Sequence, residues 1–339
     1  MSVVNGGVLE LASDTAFRVL VLPAMGRGLF ATQPVLAGAT LLEEAPIVST
    51  PPVRKVRDGS WCRTCCSPGQ ACGHVHPEPE LGSVDLSPLL GYCEERGFKW
   101  PLLMARLAAR ALQKGRRRPP SAGSDEALER MRFLCSVNLK GREARLEEQR
   151  EVLLDCFKRP RGDSVLSIDL YMDLYSRIQA NAFRLDLVDS AAFGGEEGSS
   201  QSYQEVLRRM LSQQEDGDGG SAVYTVASLF NHSCGVYWSM VFVLRPMFPR
   251  ALAPSPAPSP APSPAPSPAP SLARSPVPNV DVTFPKNDHT IVMRANQEVR
   301  ENEQLTITYI DTGADVEERA ARLAMYGFRC ECEKCREER

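Results

Sequence analysis

Three cysteines near the end of the sequence form its strongest candidate for metal binding. Cys330, Cys332 and Cys335 follow a C-x-C-x2-C spacing. Thiolates this close repel one another unless they share a cation, and structural zinc takes four ligands in a tetrahedron. Cys234, in the run Asn231-His-Ser-Cys, is the candidate for the fourth ligand. The alternative interpretation is a set of surface thiols in a charged tail.

A second group of cysteines and histidines lies in the first third of the chain. Its tentative zinc ligands are Cys62, Cys65, Cys72 and His74. The C-x2-C and C-x-H spacings suit zinc, but the usual second pair of cysteines is missing or scrambled. A second zinc site and a metal-free insert both stay open for this stretch.

Composition narrows the class of protein. Lys and Arg number 39 against 42 Asp and Glu, which gives a net charge of −3, so a globally basic surface for nucleic acid is not expected. No apolar run is long enough to predict a membrane-spanning helix, and the first residues lack the pattern of a secretory signal. Eleven cysteines without such a signal indicate a reducing compartment, where clustered thiols usually bind metal.

Short strands and a long helical region must position these residues. Phe17–Leu22 and Thr40–Leu42 have strand character, and the sequence from Leu102 to Leu211 turns helical. Strands return after Val223, and the alternation of apolar residues late in the chain predicts a strand that ends at Tyr309. The order β, α, β predicts a split sheet domain with a helical insert.

Some helices can be placed more closely. Apolar and aromatic residues recur at three- and four-residue steps from Ile168 to Ile178, which predicts one buried helical face. A last helix is expected from Val316 to Met325, ending at Gly327. Cys135 and Cys156 lie in partly apolar helical runs and are predicted to be core residues.

A proline-rich segment interrupts the strands in the second half of the chain. Eleven of the 28 residues from 251 to 278 are proline, mostly in Ala-Pro-Ser-Pro repeats. Proline lacks a backbone donor and fixes φ, so an extended polyproline-II linker is predicted there. A spacer and a ligand for proline-binding domains are the two interpretations. Strand-like runs on both sides favour an insertion within one domain.

Four motifs, taken in order, resemble those of the SET-domain protein lysine methyltransferases. They are Gly26-Arg-Gly-Leu-Phe-Ala31, Asn231-His-Ser-Cys234, Glu303-Gln-Leu-Thr-Ile-Thr-Tyr309, and Tyr326-Gly-Phe-Arg before the late cysteines. The interruption by a cysteine-rich stretch and helices resembles the SET-and-MYND subfamily, whose Asn-x-Phe is similar to Asn181-Ala-Phe183. The chain departs from the subfamily where Asn302-Glu-Gln replaces the usual Gly-Glu-Glu, and where Gly-Val follows Asn-His-Ser-Cys.

The resemblance implies an α+β, SET-type fold of short β-sheets. A cysteine-rich and helical insert splits the sheets, and a C-terminal post-SET zinc arm follows them. The expected parts are a SET N-terminal part (14–60), a degenerate MYND-like insert (61–93), a helical insert (94–215), the SET catalytic core (216–250 and 279–311), a Pro-rich disordered insertion (251–278) and the post-SET helix and zinc arm (312–339).

The resemblance also implies the site. S-adenosylmethionine is the implied methyl donor, and the residues expected to bind it are Arg27, Gly28, Leu29, Asn181, Asn231, His232 and Phe328. Tyr309 is the expected catalytic residue, because a phenol at the methyl-transfer channel can orient a lysine amine. Zn²⁺, held by Cys234, Cys330, Cys332 and Cys335, is expected to close the pocket and to do no chemistry.

The implied substrate is a protein that carries a reactive lysine, and histones are among the candidates. Neither direct membrane association nor strong nucleic-acid binding is expected, and the implied location is cytoplasmic, nuclear or both. The competing hypothesis is a catalytically inactive SET scaffold that mediates protein–protein interaction.

Overall fold

A computed structural model gives the architecture of this protein. It describes residues 3–5, 8–10, 15–22, 26–51, 62, 66, 81, 84–96, 100–114, 124–160, 163–185, 187, 220–235 and 277–339. No helix in these ranges is long and apolar enough to cross a membrane.

Short strands occur at both ends of this sequence. They are β1 (Val3–Asn5), β2 (Val8–Glu10), β3 (Phe17–Leu22), β4 (Gly26–Ala31), β5 (Thr40–Glu44), β6 (Val48–Thr50), β7 (Ala182–Leu185), β8 (Gly220–Val223), β9 (Asn231–His232), β10 (Val280–Thr283), β11 (Ile291–Ala295) and β12 (Gln304–Ile307).

Helices fill the middle of the chain and return at its end. They are α1 (Ser87–Arg96), α2 (Pro101–Lys114), α3 (Ser124–Phe133), α4 (Glu143–Cys156), α5 (Ile168–Asn181), α6 (Val316–Ala324) and α7 (Glu333–Glu337). A single 3₁₀ turn, Ala227–Leu229, precedes β9.

Three sheets join strands from before the helices to strands from after them. The first has the order β3-β4-β12-β9, with β12 antiparallel to β4 and parallel to β9. The second has the order β10-β11-β5, and the third has the order β6-β8-β7. β1 and β2 form a separate antiparallel pair. The predicted α+β class and the split sheet are confirmed.

Helix α5 shows how the sequence determines the helical region. The Ser167 hydroxyl accepts a hydrogen bond from the Leu170 N–H at 3.2 Å, so the side chain caps the helix where the apolar period begins. Tyr171, Leu174 and Ile178 are fully buried on one face, as the three- and four-residue steps predicted.

The last core strand differs from its prediction. β12 ends at Ile307, so Tyr309 lies just beyond the strand, and all four residues of β12 are buried. Alternating exposure fails because the returning segment contacts Thr306: the Thr306 hydroxyl donates to the Val277 carbonyl at 3.5 Å, its N–H donates to Asn279 Oδ1 at 2.8 Å, and its carbonyl accepts from the Asn279 N–H at 3.1 Å. This segment covers the side of the strand that the pattern assigned to solvent.

Two cysteines and one helix end also test the sequence pattern. Cys135 is exposed, so the prediction that it belongs to the core is wrong: α3 ends at Phe133, and Cys135 lies in the loop that follows. Cys156 is half-buried against the core at the end of α4. Helix α6 ends at Ala324, and Gly327 has the predicted left-handed conformation (φ +82°), which stops the helix.

The ends of the proline-rich excursion attach to adjacent residues of β12. The Ser233 N–H donates to the Ile307 carbonyl at 3.0 Å, and the returning chain places the Asn279 N–H on the Thr306 carbonyl. Residues 236–276 lie outside the described part of the chain, so their polyproline character stays a prediction. The same holds for Cys65, Cys72 and His74 of the tentative second zinc site, although Cys62 is described and half-buried.

Candidate functional site

Four cysteines come together as the spacing predicted. The Sγ atoms of Cys234, Cys330, Cys332 and Cys335 lie within 4.8 Å of one another, and all four residues are buried. A zinc–sulfur distance of about 2.3 Å puts the sulfurs of a tetrahedron about 3.8 Å apart, so a small contraction of this cluster would suit the ion. The donor set is the one that structural zinc prefers, and the cluster therefore fits Zn²⁺.

The thiols of this cluster share protons when no cation balances them. Hydrogen bonding to Cys330 and Cys332, together with burial, raises the pKa of Cys234 well above its usual range. Hydrogen bonds from Cys234 and Cys330 lower the pKa of Cys332. One thiolate is thus stabilised by its protonated neighbours. A bound divalent cation would allow all four sulfurs to ionise.

His232 connects the cysteine cluster to the end of β12. Its Nδ1 accepts a hydrogen bond from the Tyr309 N–H at 3.1 Å, and its Nε2 lies 2.8 Å from Cys234 Sγ. An accepting Nδ1 leaves the proton of a neutral imidazole on Nε2, so Nε2 donates to the sulfur. Both ring nitrogens are thereby engaged within the protein. The predicted cofactor contact therefore does not use the His232 ring.

Tyr309 lies at the centre of an aromatic group. Its hydroxyl donates to the Phe230 carbonyl at 2.5 Å, one residue before Asn231. Its ring centroid is 5.3 Å from that of His232, 5.2 Å from Tyr326 and 6.3 Å from Phe328. Burial raises the pKa of the Tyr309 phenol well above its ordinary value, so the group stays neutral at physiological pH.

Phe328 forms the solvent-facing side of this group. It is 38% exposed, which is unusual for a large apolar side chain, and its ring lies 6.3 Å from His232. The three late cysteines follow it directly in the chain. The cysteine cluster therefore holds the segment that places Phe328 beside Tyr309.

Gly28 makes room for two side-chain amides. A Cβ at this position would lie 2.6 Å from Asn231 Nδ2 and 2.8 Å from Gln304 Nε2. Asn231 Nδ2 donates to the Arg27 carbonyl at 3.2 Å, while Gln304 Nε2 is buried and has no hydrogen-bond partner in the described part of the chain. The lack of a side chain at Gly28 thus leaves room for the two amides. Leu29 next to it is fully buried and pairs with Val19 and Leu305 in the sheet, so it positions Gly28.

Arg27 and Asn181 hold the loop that follows α3. The Arg27 guanidinium lies 4.0 Å from the centroid of the Phe133 ring and donates to the Phe133 carbonyl. Asn181 Nδ2 donates to the carbonyls of Cys135 (2.8 Å) and Arg177 (2.7 Å). Both residues therefore shape one wall of the site through the loop at residues 133–135.

Glu44 is a residue that the sequence did not single out. Its carboxylate accepts from the N–H groups of Thr225, Val226 and Ala227 at 2.8 to 3.1 Å. These donors begin the 3₁₀ turn that leads to Phe230. Burial raises the pKa of Glu44, while the three N–H groups and Arg130 oppose that rise. An acidic residue at the end of a strand gives no sequence signal for this role.

The predicted site residues thus fall into connected groups. His232, Tyr309 and Phe328 are linked to one another by hydrogen bonds or ring contacts, His232 also contacts Cys234, and Asn231 directly precedes His232 in β9. Gly28 and Arg27 join this group through Asn231. Asn181 reaches it indirectly, through the Cys135 loop that Arg27 also contacts.

Comparison with known proteins identifies relatives along most of the chain. The chain is 26% identical over 344 residues to the histone-lysine N-methyltransferase ATXR4 of Arabidopsis thaliana. This alignment covers 94% of the chain and 85% of the relative. It is 39% identical over 59 residues to a SET and MYND domain-containing protein of Dictyostelium discoideum (17% of each chain). It is also 45% identical over 51 residues to the Arabidopsis histone-lysine N-methyltransferase ATXR2 (15% of this chain, 11% of the relative).

No protein-family model matches the chain. A crystal structure of the SET domain of LSMT bound to lysine and AdoHcy aligns with 94% of this chain and 54% of that chain, at 14% identity and a TM-score of 0.35.

The relatives confirm the resemblance seen in the motifs. Two of the relatives are named as histone-lysine methyltransferases and the third as a SET and MYND domain-containing protein, so the chain is similar to proteins of the kind that its motifs resemble. The names of these relatives support the prediction of a protein-lysine methyltransferase. The roles of individual residues stay predictions.

Proposed function

We propose that this protein transfers a methyl group from S-adenosylmethionine to the ε-amine of a lysine in a protein substrate. The observation that carries the proposal is the position of Tyr309, whose hydroxyl donates to Phe230 directly before Asn231 and whose ring contacts His232 and Phe328. Two segments expected to bind the cofactor therefore meet at the expected catalytic phenol. The names of the homologues agree with this activity.

The residues around Gly28 fit the polar part of S-adenosylmethionine. Two amides converge there, and the buried Gln304 Nε2 has no partner in the described residues. Such a donor is costly to leave unpaired, so a ligand oxygen within its reach would be stabilised. The residues proposed to hold the cofactor are the backbone of Arg27, Gly28, Leu29 and His232, and the side chains of Asn181, Asn231, Gln304 and Phe328.

Tyr309 is proposed to orient the lysine amine and not to deprotonate it. S-adenosylmethionine, when bound, supplies a methyl group on a positively charged sulfur. The Tyr309 proton is committed to the Phe230 carbonyl, so its oxygen is left to accept a hydrogen bond from the amine. A lysine ammonium has a pKa of about 10.4 and must lose its proton before attack. Because burial keeps the phenol neutral, that proton leaves to water.

Zinc is proposed to have a structural role at the four-cysteine cluster. By holding Cys234 and the late cysteines together, the ion would fix Phe328 beside His232 and Tyr309. No cluster residue reaches the reacting atoms, so it does no chemistry. A second zinc in the MYND-like insert, with Cys62, Cys65, Cys72 and His74 as ligands, remains part of the proposal.

The substrate is proposed to be a protein lysine, either in a histone or elsewhere. The relatives named as histone-lysine methyltransferases support histones as the first candidates and a nuclear or cytoplasmic location. The domain boundaries inferred from the sequence are kept, with the Pro-rich insertion as a linker within the catalytic core.

The test is methyl transfer by the purified full chain. It uses radiolabelled S-adenosylmethionine with histones and a proteome extract, and a Tyr309→Phe variant beside the wild type. We expect label on lysine in the wild-type reaction, and a fall of kcat and kcat/KM together of about 100-fold in the variant, the size of effect that loss of orientation produces. Cofactor affinity, measured by calorimetry, is expected to change little, because the lost hydroxyl acts mainly in the transition state.

Two outcomes would contradict the proposal. Full activity of Tyr309→Phe on the best substrate would remove this residue from the catalytic position. Absence of S-adenosylmethionine binding by the wild type would favour the inactive scaffold. The rate is also expected to rise with pH below about 10, since more of the lysine is then neutral while the raised pKa keeps Tyr309 protonated.

A further inference from the structure

A buried arginine lies against the cysteine cluster. Arg319, on α6, is 1% exposed and is among the largest fully buried side chains described. Its Nη2 lies 3.6 Å from Cys335 Sγ and 2.5 Å from Glu338 Oε2. Its Nη1 donates to the Ala314 carbonyl at 2.5 Å, and its Nε has no partner in the described part of the chain.

The stabilisation that this buried cation needs is only partly supplied by its carboxylate partner, which is itself partly exposed. An arginine cannot deprotonate, so its buried cation is costly unless anions and acceptors surround it. Glu338 is a weak partner for this purpose because its side chain is 40% exposed and water screens it. Neutral thiols would add almost nothing to the balance.

A metal-bound cluster would supply the missing charge. Four thiolates around one Zn²⁺ carry a net charge of about −2. Arg319 is placed to neutralise part of it, since its N–H group points at Cys335 Sγ. N–H donors to metal-bound sulfur belong to the outer partners that orient ligands and tune metal affinity. The cluster and the arginine therefore stabilise each other most strongly when the metal is present.

We propose that Arg319 is the cation that balances a zinc–tetrathiolate centre, and that it positions Cys335 and ties zinc binding to helix α6. The proposal rests on the zinc site proposed above. It differs from a purely structural role in which Arg319 merely joins the Ala314 carbonyl to Glu338. In that case its main partner would be the carboxylate, and removing the charge of Glu338 would weaken zinc binding as much as removing the charge of Arg319.

The experiment measures zinc affinity in the full chain by competition with a chromogenic chelator, after elemental analysis of the wild type. Arg319→Met keeps much of the volume but removes the charge, and we expect it to weaken zinc binding about 10- to 100-fold. Arg319→Lys is expected to recover most of the loss. Arg322→Met is the matched control, because Arg322 is exposed on the same helix and forms a surface ion pair with Glu318. It should leave zinc affinity unchanged.

Glu338→Gln keeps the test decisive if Arg319→Met does not fold. The substituted side chain is half exposed, so folding should survive, and zinc affinity is expected to stay within about twofold of wild type. A loss as large as that of Arg319→Met, or of 10-fold or more on its own, would overturn the proposal in favour of the structural role. Failure of Arg319→Lys to recover affinity would also overturn it.

Cobalt substitution adds a spectroscopic readout. The sulfur-to-cobalt charge-transfer band of the Co²⁺ form should shift in Arg319→Met and not in Arg322→Met; an unchanged band would contradict the contact with Cys335. A wild-type protein that holds neither zinc nor cobalt would refute the zinc site itself. That result differs from metal binding that is unchanged by Arg319→Met, which would refute only the role of Arg319.

Discussion

Replacing Gly28 with alanine would test the geometry around Asn231 directly. The new Cβ would lie 2.6 Å from Asn231 Nδ2 and 2.8 Å from Gln304 Nε2. Carbon and nitrogen atoms rarely approach closer than about 3.4 Å without a bond, which makes the two overlaps about 0.8 and 0.6 Å. Both amide nitrogens are at the ends of flexible side chains, so they can rotate away.

The size of each effect follows from that freedom. Rotation of Asn231 gives up its hydrogen bond to the Arg27 carbonyl, which costs about 0.5–1.5 kcal/mol in stability. Cofactor affinity should fall more, by about 10- to 100-fold or 1.4–2.8 kcal/mol, because both amides leave the place where the ligand is proposed to meet them. The variant thus separates folding from binding.

The assay combines thermal unfolding with calorimetric titration of S-adenosylmethionine. Gly91→Ala is the matched control, since a Cβ there meets nothing within 4 Å and the position is in helix α1. It should raise stability by up to about 1 kcal/mol and leave cofactor affinity unchanged. The reasoning is refuted if Gly28→Ala binds the cofactor within twofold of wild type. A loss of stability of several kcal/mol would also refute it, because the amides would then have been unable to move.

Three further substitutions or deletions test other parts of the structure. Cys332→Ala should release one equivalent of zinc and lower the melting temperature, and unchanged zinc by elemental analysis would rule out the cluster as the site. Glu44→Gln turns an amide N–H₂ towards the N–H groups of residues 225–227 and leaves at least one of these donors unpaired, which costs about 1–3 kcal/mol. Cofactor affinity and melting temperature should therefore both fall. An unchanged Kd by calorimetry would contradict this. Replacing residues 252–276 by a short Gly-Ser turn should shift the melting temperature by only a few degrees, since both flanks are attached to β12; loss of soluble expression would show otherwise.

The sequence predicted what depends on spacing and periodicity. The tetrad of Cys234 and the late cysteines follows from the preference of zinc for four close thiolates, and the α5 face follows from its period. The first prediction combines residue spacing with a requirement of zinc chemistry, and the second uses periodicity alone.

The features that were missed depend on contacts distant in sequence. Glu44 meets three backbone donors only after β5 and the 3₁₀ turn come together, and Thr306 is buried only because Asn279 returns beside it. Arg319 is one of several charged residues in the run Val-Glu-Glu-Arg-Ala-Ala-Arg, and nothing in that run distinguishes it from the exposed Arg322.

The pairing of the sheets has a consequence for synthesis on the ribosome. Phe30 pairs with Gln304, Leu42 with Met293, and Val48 with Val223, so early strands emerge long before their partners. Contacts between residues this distant in the chain slow folding, and strands without partners expose edges that can pair with other molecules. The helical region, whose contacts are mostly local, can form first. Early strands are therefore expected to lack these partners until translation is almost complete, and a chain that terminates before β12 should aggregate even though its helices can fold.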